Sequence, residues 1–142
     1  MTADPSCTVC ARREALVEAI AFVEAVCDAH GVARGDCLRL SLVLEELFTN
    51  TVKHGHGGGS DAPVRVGLLV QASELELRYE DSAAPFDPLT QVPRTVKDLE
   101  GEGHERPVGG LGIALVASLA ARFDYAYEGG WNRLRVALRR EP

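Results

Sequence analysis

Leu38-Arg39-Leu40-Ser41-Leu42-Val43-Leu44-Glu45-Glu46-Leu47-Phe48-Thr49-Asn50-Thr51-Val52-Lys53-His54-Gly55-His56 is the stretch around which the chain is organised. Its apolar residues recur at helical spacing, so Leu40, Val43, Leu44, Leu47 and Phe48 form an inward stripe. Residues four apart share a helix face, which sets Glu46 and Asn50 one turn apart where they meet a cleft or solvent. Asn is a poor helix-interior residue because its side chain competes for backbone hydrogen bonds. Two explanations stand. One is a solvated polar stripe; the other is a hard cation held by the Asn50 amide oxygen, with Glu46 activating a nucleophile.

The chain around this helix has 142 residues, enough for one domain that removes roughly two-thirds of its unfolded surface from water. With 46% hydrophobic and 25% charged residues it has the composition of a soluble globular protein, and it needs neither disulfide nor metal to fold. A net charge of −6 argues against nucleic acid as the main partner, because binding a phosphate backbone takes clustered Lys and Arg. No basic start followed by an apolar run marks a secretory signal, and the apolar run Leu111 to Ala121 is too short to span a bilayer. The expectation is a cytoplasmic protein with no membrane partner and reduced cysteines. Cys7 and Cys10 form a lone C-x-x-C, half a zinc site at most, with Cys27, His30 or Cys37 as its only candidates for completion.

Residues 1–10 are either a tail or a short first strand, and residues 11–142 form the single folded domain. Leu16, Ile20, Val23 and Cys27 give a first amphipathic helix over 11–29, closed by His30 and Gly31. Asp36 is the expected N-cap of the second helix. A glycine-rich loop over 54–62 follows it. Val64, Val66, Leu68 and Val70 alternate as a half-buried strand, as do Leu75, Leu77 and Tyr79 after a turn, and the second strand runs into Asp81. A long polar segment over 88–108 leads to Gly109, Gly110 and Gly112, which open a third helix running to about Arg122. Phe123 to Tyr127, Gly129-Gly130, and Leu134, Val136 and Leu138 complete a second hairpin. The implied architecture is an α/β (α+β) two-layer sandwich, a mostly antiparallel mixed sheet covered on one face by about three helices.

Three segments carry the possible chemistry: Leu44-Glu45-Glu46-Leu47-Phe48-Thr49-Asn50 with Lys53-His54-Gly55, Asp81 with Pro85-Phe86-Asp87-Pro88, and Gly109-Gly110-Leu111-Gly112-Ile113. Met alone, each is more often structural: a polar helix face, a turn aspartate, a glycine turn. In this order and spacing, with Gly130-Trp131-Asn132-Arg133-Leu134 at the end, they resemble the GHKL (Bergerat-fold) ATPase and kinase superfamily. Within it the chain is most similar to the anti-sigma-factor serine/threonine kinases, over roughly residues 11–140. The resemblance implies that Asn50 coordinates Mg²⁺ bridging the phosphates of ATP and that Glu46 is the catalytic general base. It implies that Asp81 accepts the adenine amino group. Ala83, Phe86, Gly109, Gly110, Leu111, Gly112 and Ile113 complete the nucleotide site, the glycines offering backbone N–H groups at a helix start. Residues 88–108 become the ATP lid, with Arg94, Lys97, His104 or Arg106 available to screen phosphate charge.

Two positions depart from that pattern. Ala83 stands where the family usually has glycine, putting a methyl near adenine. Arg135 stands where relatives often place a supporting threonine, and a guanidinium cannot accept a hydrogen bond. The leading expectation is a Mg-ATP-dependent kinase that phosphorylates a small anti-sigma antagonist protein, with a sigma factor or phosphatase as a further partner and a homodimer open. The alternative is a non-catalytic, nucleotide-responsive protein-binding module of the same fold.

Overall fold

The computed structural model describes residues 4–55, 59–88 and 110–141. Strand β1 (Ser6–Cys10) and a 3₁₀ turn (Arg13–Ala15) precede helices α1 (Leu16–Ala29) and α2 (Arg34–Asn50), and a π-helical turn (Thr51–Gly55) extends α2. The hairpin β2 (Pro63–Val70) and β3 (Glu74–Asp81) follows, then α3 (Gly110–Leu119) and the hairpin β4 (Arg122–Glu128) and β5 (Trp131–Arg139). The segment over 1–10 thus contains a strand.

The strands form one sheet in the order β1-β2-β3-β5-β4, antiparallel at every described pairing. Period-two alternation buries one face: Val64, Val66 and Leu68 on β2, Leu75, Leu77 and Tyr79 on β3, and Leu134, Val136 and Leu138 on β5. Against it pack Ala19, Val23 and Cys27 of α1 with Leu40, Val43, Leu44, Leu47 and Phe48 of α2, the apolar stripe expected of that helix. Helices on one face and solvent on the other make two layers.

The ends of the elements are set by specific groups. Gly31 takes φ 63° just beyond α1, where the Val32 N–H reaches back to the Cys27 carbonyl at 2.9 Å and the Gly31 N–H to Asp28. Gly129 and Gly130, both at positive φ, form the two-residue turn joining β4 to β5. Asp36 is not the N-cap of α2. The helix begins one residue before Gly35, its N-cap is Ala33, and Asp36 lies buried in the first turn. There Asp36 pairs with Arg39 at 2.5 Å and accepts the Glu141 N–H on both oxygens at 3.2 Å, tying the end of the chain to α2.

Cys7 and Cys10 lie three residues apart on β1, so their side chains leave opposite faces of the sheet and do not converge on one ion. All four cysteines are free thiols.

Candidate functional site

Asp81 is the fourth inward position of β3, after Leu75, Leu77 and Tyr79, and it is buried where a carboxylate must be hydrogen-bonded. Three donors serve it. The Asn132 Nδ2 and the Ala83 N–H donate to Oδ1 at 2.9 and 3.1 Å, and the Thr51 hydroxyl lies 2.9 Å from Oδ2. An ionised carboxylate accepts about four hydrogen bonds, so Oδ2 keeps room for another donor. Thr51 also sits 2.7 Å from the Tyr79 hydroxyl and 3.1 Å from the Leu47 carbonyl. Burial, helped by the nearby Asp81 charge, pushes the Tyr79 phenol far above its ordinary range, so it serves here only as a neutral hydroxyl.

Asn132 is the hub of this network. It stands directly opposite Asp81 in the β3–β5 register and is itself buried. Its Nδ2 also reaches the carbonyls of Ala83 and Ala84, each at 3.1 Å, while its Oδ1 accepts the Tyr125 hydroxyl at 2.5 Å and the Phe86 N–H at 3.1 Å. Those partners fix the amide orientation and pin the segment after Asp81. The Tyr125 phenol is shifted upward, first by burial.

Neither departure disturbs the network. Ala83 has no positive φ, and its N–H closes a tight turn onto Asp81, so the backbone there suits an L residue without strain. Arg135 is not the support of Asp81. It pairs in register with Arg78 and points to the face of the sheet away from the helices, and Asn132 occupies the supporting role instead. Thr51 and Asn132 are the residues that sequence reasoning passed over. The alternation of Leu134, Val136 and Leu138, continued two residues back, reaches Asn132 and excludes Arg135 by parity.

The helices complete the site. Asn50, the last residue of α2, lines with Leu47, Thr51, Asp81, Ala83 and Phe86 a small cavity of about 30 Å³. Glu46, one turn earlier, is half-buried and its carboxylate lies against Gly112 in the first turn of α3, where any Cβ would overlap it. Gly110 opens α3 and Leu111 follows it in the helix. The Ile113 side chain is buried in the core, leaving its backbone as what it can offer the cleft. Thr51 continues α2 in helical geometry, at φ −59° and ψ −49°, with its hydroxyl toward Asp81, and the π-helical turn runs on from it; such turns recur at functional sites. Gly109 and the lid segment with Arg94, Lys97, His104 and Arg106 lie outside the described residues.

Among the described residues no three His, Cys, Asp or Glu side chains converge as a metal site, and no helix is long and apolar enough to cross a membrane. The donor set around Asn50 is one amide oxygen, which fits a hard cation only when other oxygen ligands, such as phosphates and water, arrive with it.

Comparison with known proteins bears on the fold. The model of the histidine kinase-like ATPase domain matches residues 9–138. No curated protein matches the chain by sequence. Among solved structures, the RsbU and RsbW domains of Rv1364c from Mycobacterium tuberculosis align over 99% of this chain and 34% of that one, at 15% identity and a TM-score of 0.62. A chain of the SiaB-SiaC complex of Pseudomonas aeruginosa aligns over 94% of this chain and 88% of that one, at 13% identity and a TM-score of 0.59. The blue-light activated histidine kinase EL346 of Erythrobacter litoralis aligns over 75% and 31%, at 19% identity and a TM-score of 0.50. The chain therefore spans only about a third of the length of the first and third of these, and such identities establish a shared fold. The family match covers nearly the whole chain: this protein belongs to the histidine kinase-like ATPase domain family, within the GHKL superfamily.

Proposed function

We propose that the protein binds Mg-ATP and acts as a serine/threonine kinase of the anti-sigma type, phosphorylating a small antagonist protein. The observation that carries this is Asp81. A buried carboxylate, held by Thr51, Asn132 and the Ala83 N–H, keeps one acceptor position beside a cavity that Asn50 also lines. An adenine amino group is a donor that such an acceptor takes, and a guanine carbonyl at the same place is not. Asn50 would hold Mg²⁺ together with nucleotide phosphates, and the metal would supply charge neutralisation to phosphoryl transfer. Glu46 would orient and accept the proton of the attacking hydroxyl. The α3 start at Gly110 would set backbone N–H groups toward anionic oxygens. The cavity of about 30 Å³ is smaller than a purine, so base entry would require the cleft to open, and Phe86, exposed at its rim, is the residue that would give way. Among the fold neighbours, SiaB occurs in a complex with SiaC and an RsbW domain occurs in one chain with an RsbU domain, which supports a protein partner.

The non-catalytic alternative rested on Ala83 and Arg135, and neither disturbs the Asp81 network, so no observation now favours it over the kinase. Calorimetric titration tests binding: ATP with Mg²⁺ gives heat, GTP gives much less, and Mg²⁺ alone gives none. Transfer of labelled phosphate to a candidate antagonist tests the activity. Asn50→Ala should abolish the metal-dependent part of binding, and Glu46→Gln should leave binding intact while slowing transfer by about 10²–10⁴-fold. No heat with millimolar ATP and Mg²⁺ ends the kinase reading.

A further inference from the structure

The turn between α1 and α2 sets two thiols side by side, at the opposite end of α2 from Asn50. Cys27 stands in the last turn of α1, four residues after Val23 on the stripe that faces the core, and is 1% exposed. Cys37 stands in the first turn of α2, on the face that continues through Leu40 and Leu44, and is half-buried against the same core. Two backbone bonds close the connection between them. The Val32 N–H reaches the Cys27 carbonyl at 2.9 Å and the Cys37 N–H reaches the Ala33 carbonyl at 3.0 Å, so one peptide link, Val32 to Ala33, separates the residues that hold the two cysteines. The Cys27 thiol donates a hydrogen bond to the sulfur of Cys37. Cys7 and Cys10, on opposite faces of β1, have no such arrangement.

We propose that Cys27 and Cys37 are an oxidisable dithiol, which a hydroperoxide converts into a disulfide that staples the end of α1 to the start of α2. Cys37 is the point of entry, because Cys27 is shut off from solvent. With hydrogen peroxide, the Cys37 sulfur attacks one oxygen and the O–O bond breaks. The other oxygen leaves with the thiol proton as water, and Cys37 becomes a sulfenic acid. The Cys27 sulfur then attacks the Cys37 sulfur, the S–S bond forms, and the S–O bond breaks to release a second water carrying the Cys27 proton. The two thiols together lose two electrons, and the peroxide gains them.

Burial, helped by the hydrogen bond to Cys37 and by the charge there, pushes the Cys27 thiol up to about 12, so the second step is the slow one. Once the Cys37 sulfur carries oxygen, its thiolate charge no longer opposes ionisation of Cys27. Thiols already in contact need little backbone movement to join, and the bridge closes a loop that restricts the unfolded chain more than the folded one.

The test uses the full chain, reduced, freed of reductant and exposed to a few equivalents of hydrogen peroxide. Remaining thiols are blocked with iodoacetamide, and the denatured chain is digested with trypsin without reductant. Cleavage after Arg13, Arg34 and Arg39 separates residues 14–34, which hold Cys27, from residues 35–39, which hold Cys37. These two peptides should appear joined, lighter by two hydrogens than their sum, while Cys7 and Cys10 are recovered blocked. Dithiothreitol should part them, and the bridged chain should melt above the reduced one. Cys37→Ser should abolish the joined pair and Cys10→Ser should leave it. Oxidation in denaturing urea should spread the pairing to Cys7 and Cys10. Cys37 recovered only as sulfinic acid, a bridge to Cys7, Cys10 or a second chain in its place, pairing no more selective than in urea, or a bridge that lowers Tm would each overturn the proposal.

Discussion

At the scale of single residues, the network around Asp81 depends on two side chains, Asn132 and Thr51, to which the sequence motifs assign no role. Asn132 serves five groups at once, so Asn132→Ala leaves Asp81, Tyr125 and the Phe86 N–H each short of a partner. A loss of about 2–3 kcal/mol is expected by urea denaturation, since buried hydrogen bonds to charged groups weigh most. Asn132→Asp should be worse at neutral pH, with two carboxylates face to face, and should recover stability as pH falls and one of them takes a proton to share. Thr51→Val removes the hydroxyl between Tyr79 and Asp81 and should cost about 1–2 kcal/mol while weakening ATP more than Mg²⁺-free phosphate analogues. Asp81 was legible because it extends an alternating row, and Asn132 was equally legible by the same rule applied to β5. Thr51 follows the same logic on the helix, since it stands four residues after Leu47 and continues the inward stripe of α2 in helical geometry.

At the scale of elements, Gly112 of α3 lies against Glu46 of α2. Ala at a helix position is favoured over Gly by about 1 kcal/mol, yet a methyl on Gly112 would strike the Glu46 carboxylate. What it strikes is the free end of a flexible side chain, so the fold yields there cheaply. Gly112→Ala should therefore keep or slightly raise Tm while lowering phosphoryl transfer, a split readable by calorimetry beside a transfer assay. The start of α2 illustrates how local rules are overruled. Asp36 has the residue type and position of a cap, but Arg39 and the Glu141 N–H, 105 residues away, claim it from within the helix. Asp36→Ala should cost about 2–3 kcal/mol and free the end of the chain, seen as faster amide exchange after Arg139. The hairpins needed no such correction, because alternation and the Gly129-Gly130 turn are themselves local.

At the scale of the whole molecule, the buried acids of the core set an alkaline limit. Burial, together with a hydrogen bond to Cys37, pushes the Cys27 thiol from its ordinary 9.0 up to about 12. Below pH 9 the thiol is protonated in both folded and unfolded chains. Between 9 and about 12 the unfolded thiol ionises first and holds fewer protons, so stability falls as pH rises through that window. Tyr79, also shifted upward, acts in the same direction. Urea midpoints measured from pH 7 to 11 should decline above pH 9, with a shallower slope in Cys27→Ala. The seam between β3 and β5 has a kinetic meaning of its own. Each hairpin, 63–81 and 122–139, can zip from its turn, whereas joining β3 to β5 brings Asp81 to Asn132 across 51 positions of chain. The hydrogen bonds around Asp81 are therefore expected to close only when the two hairpins join. Substitutions at Asn132 should hasten unfolding far more than they slow folding, so that competence to bind is the last property the refolding chain acquires and the first it surrenders.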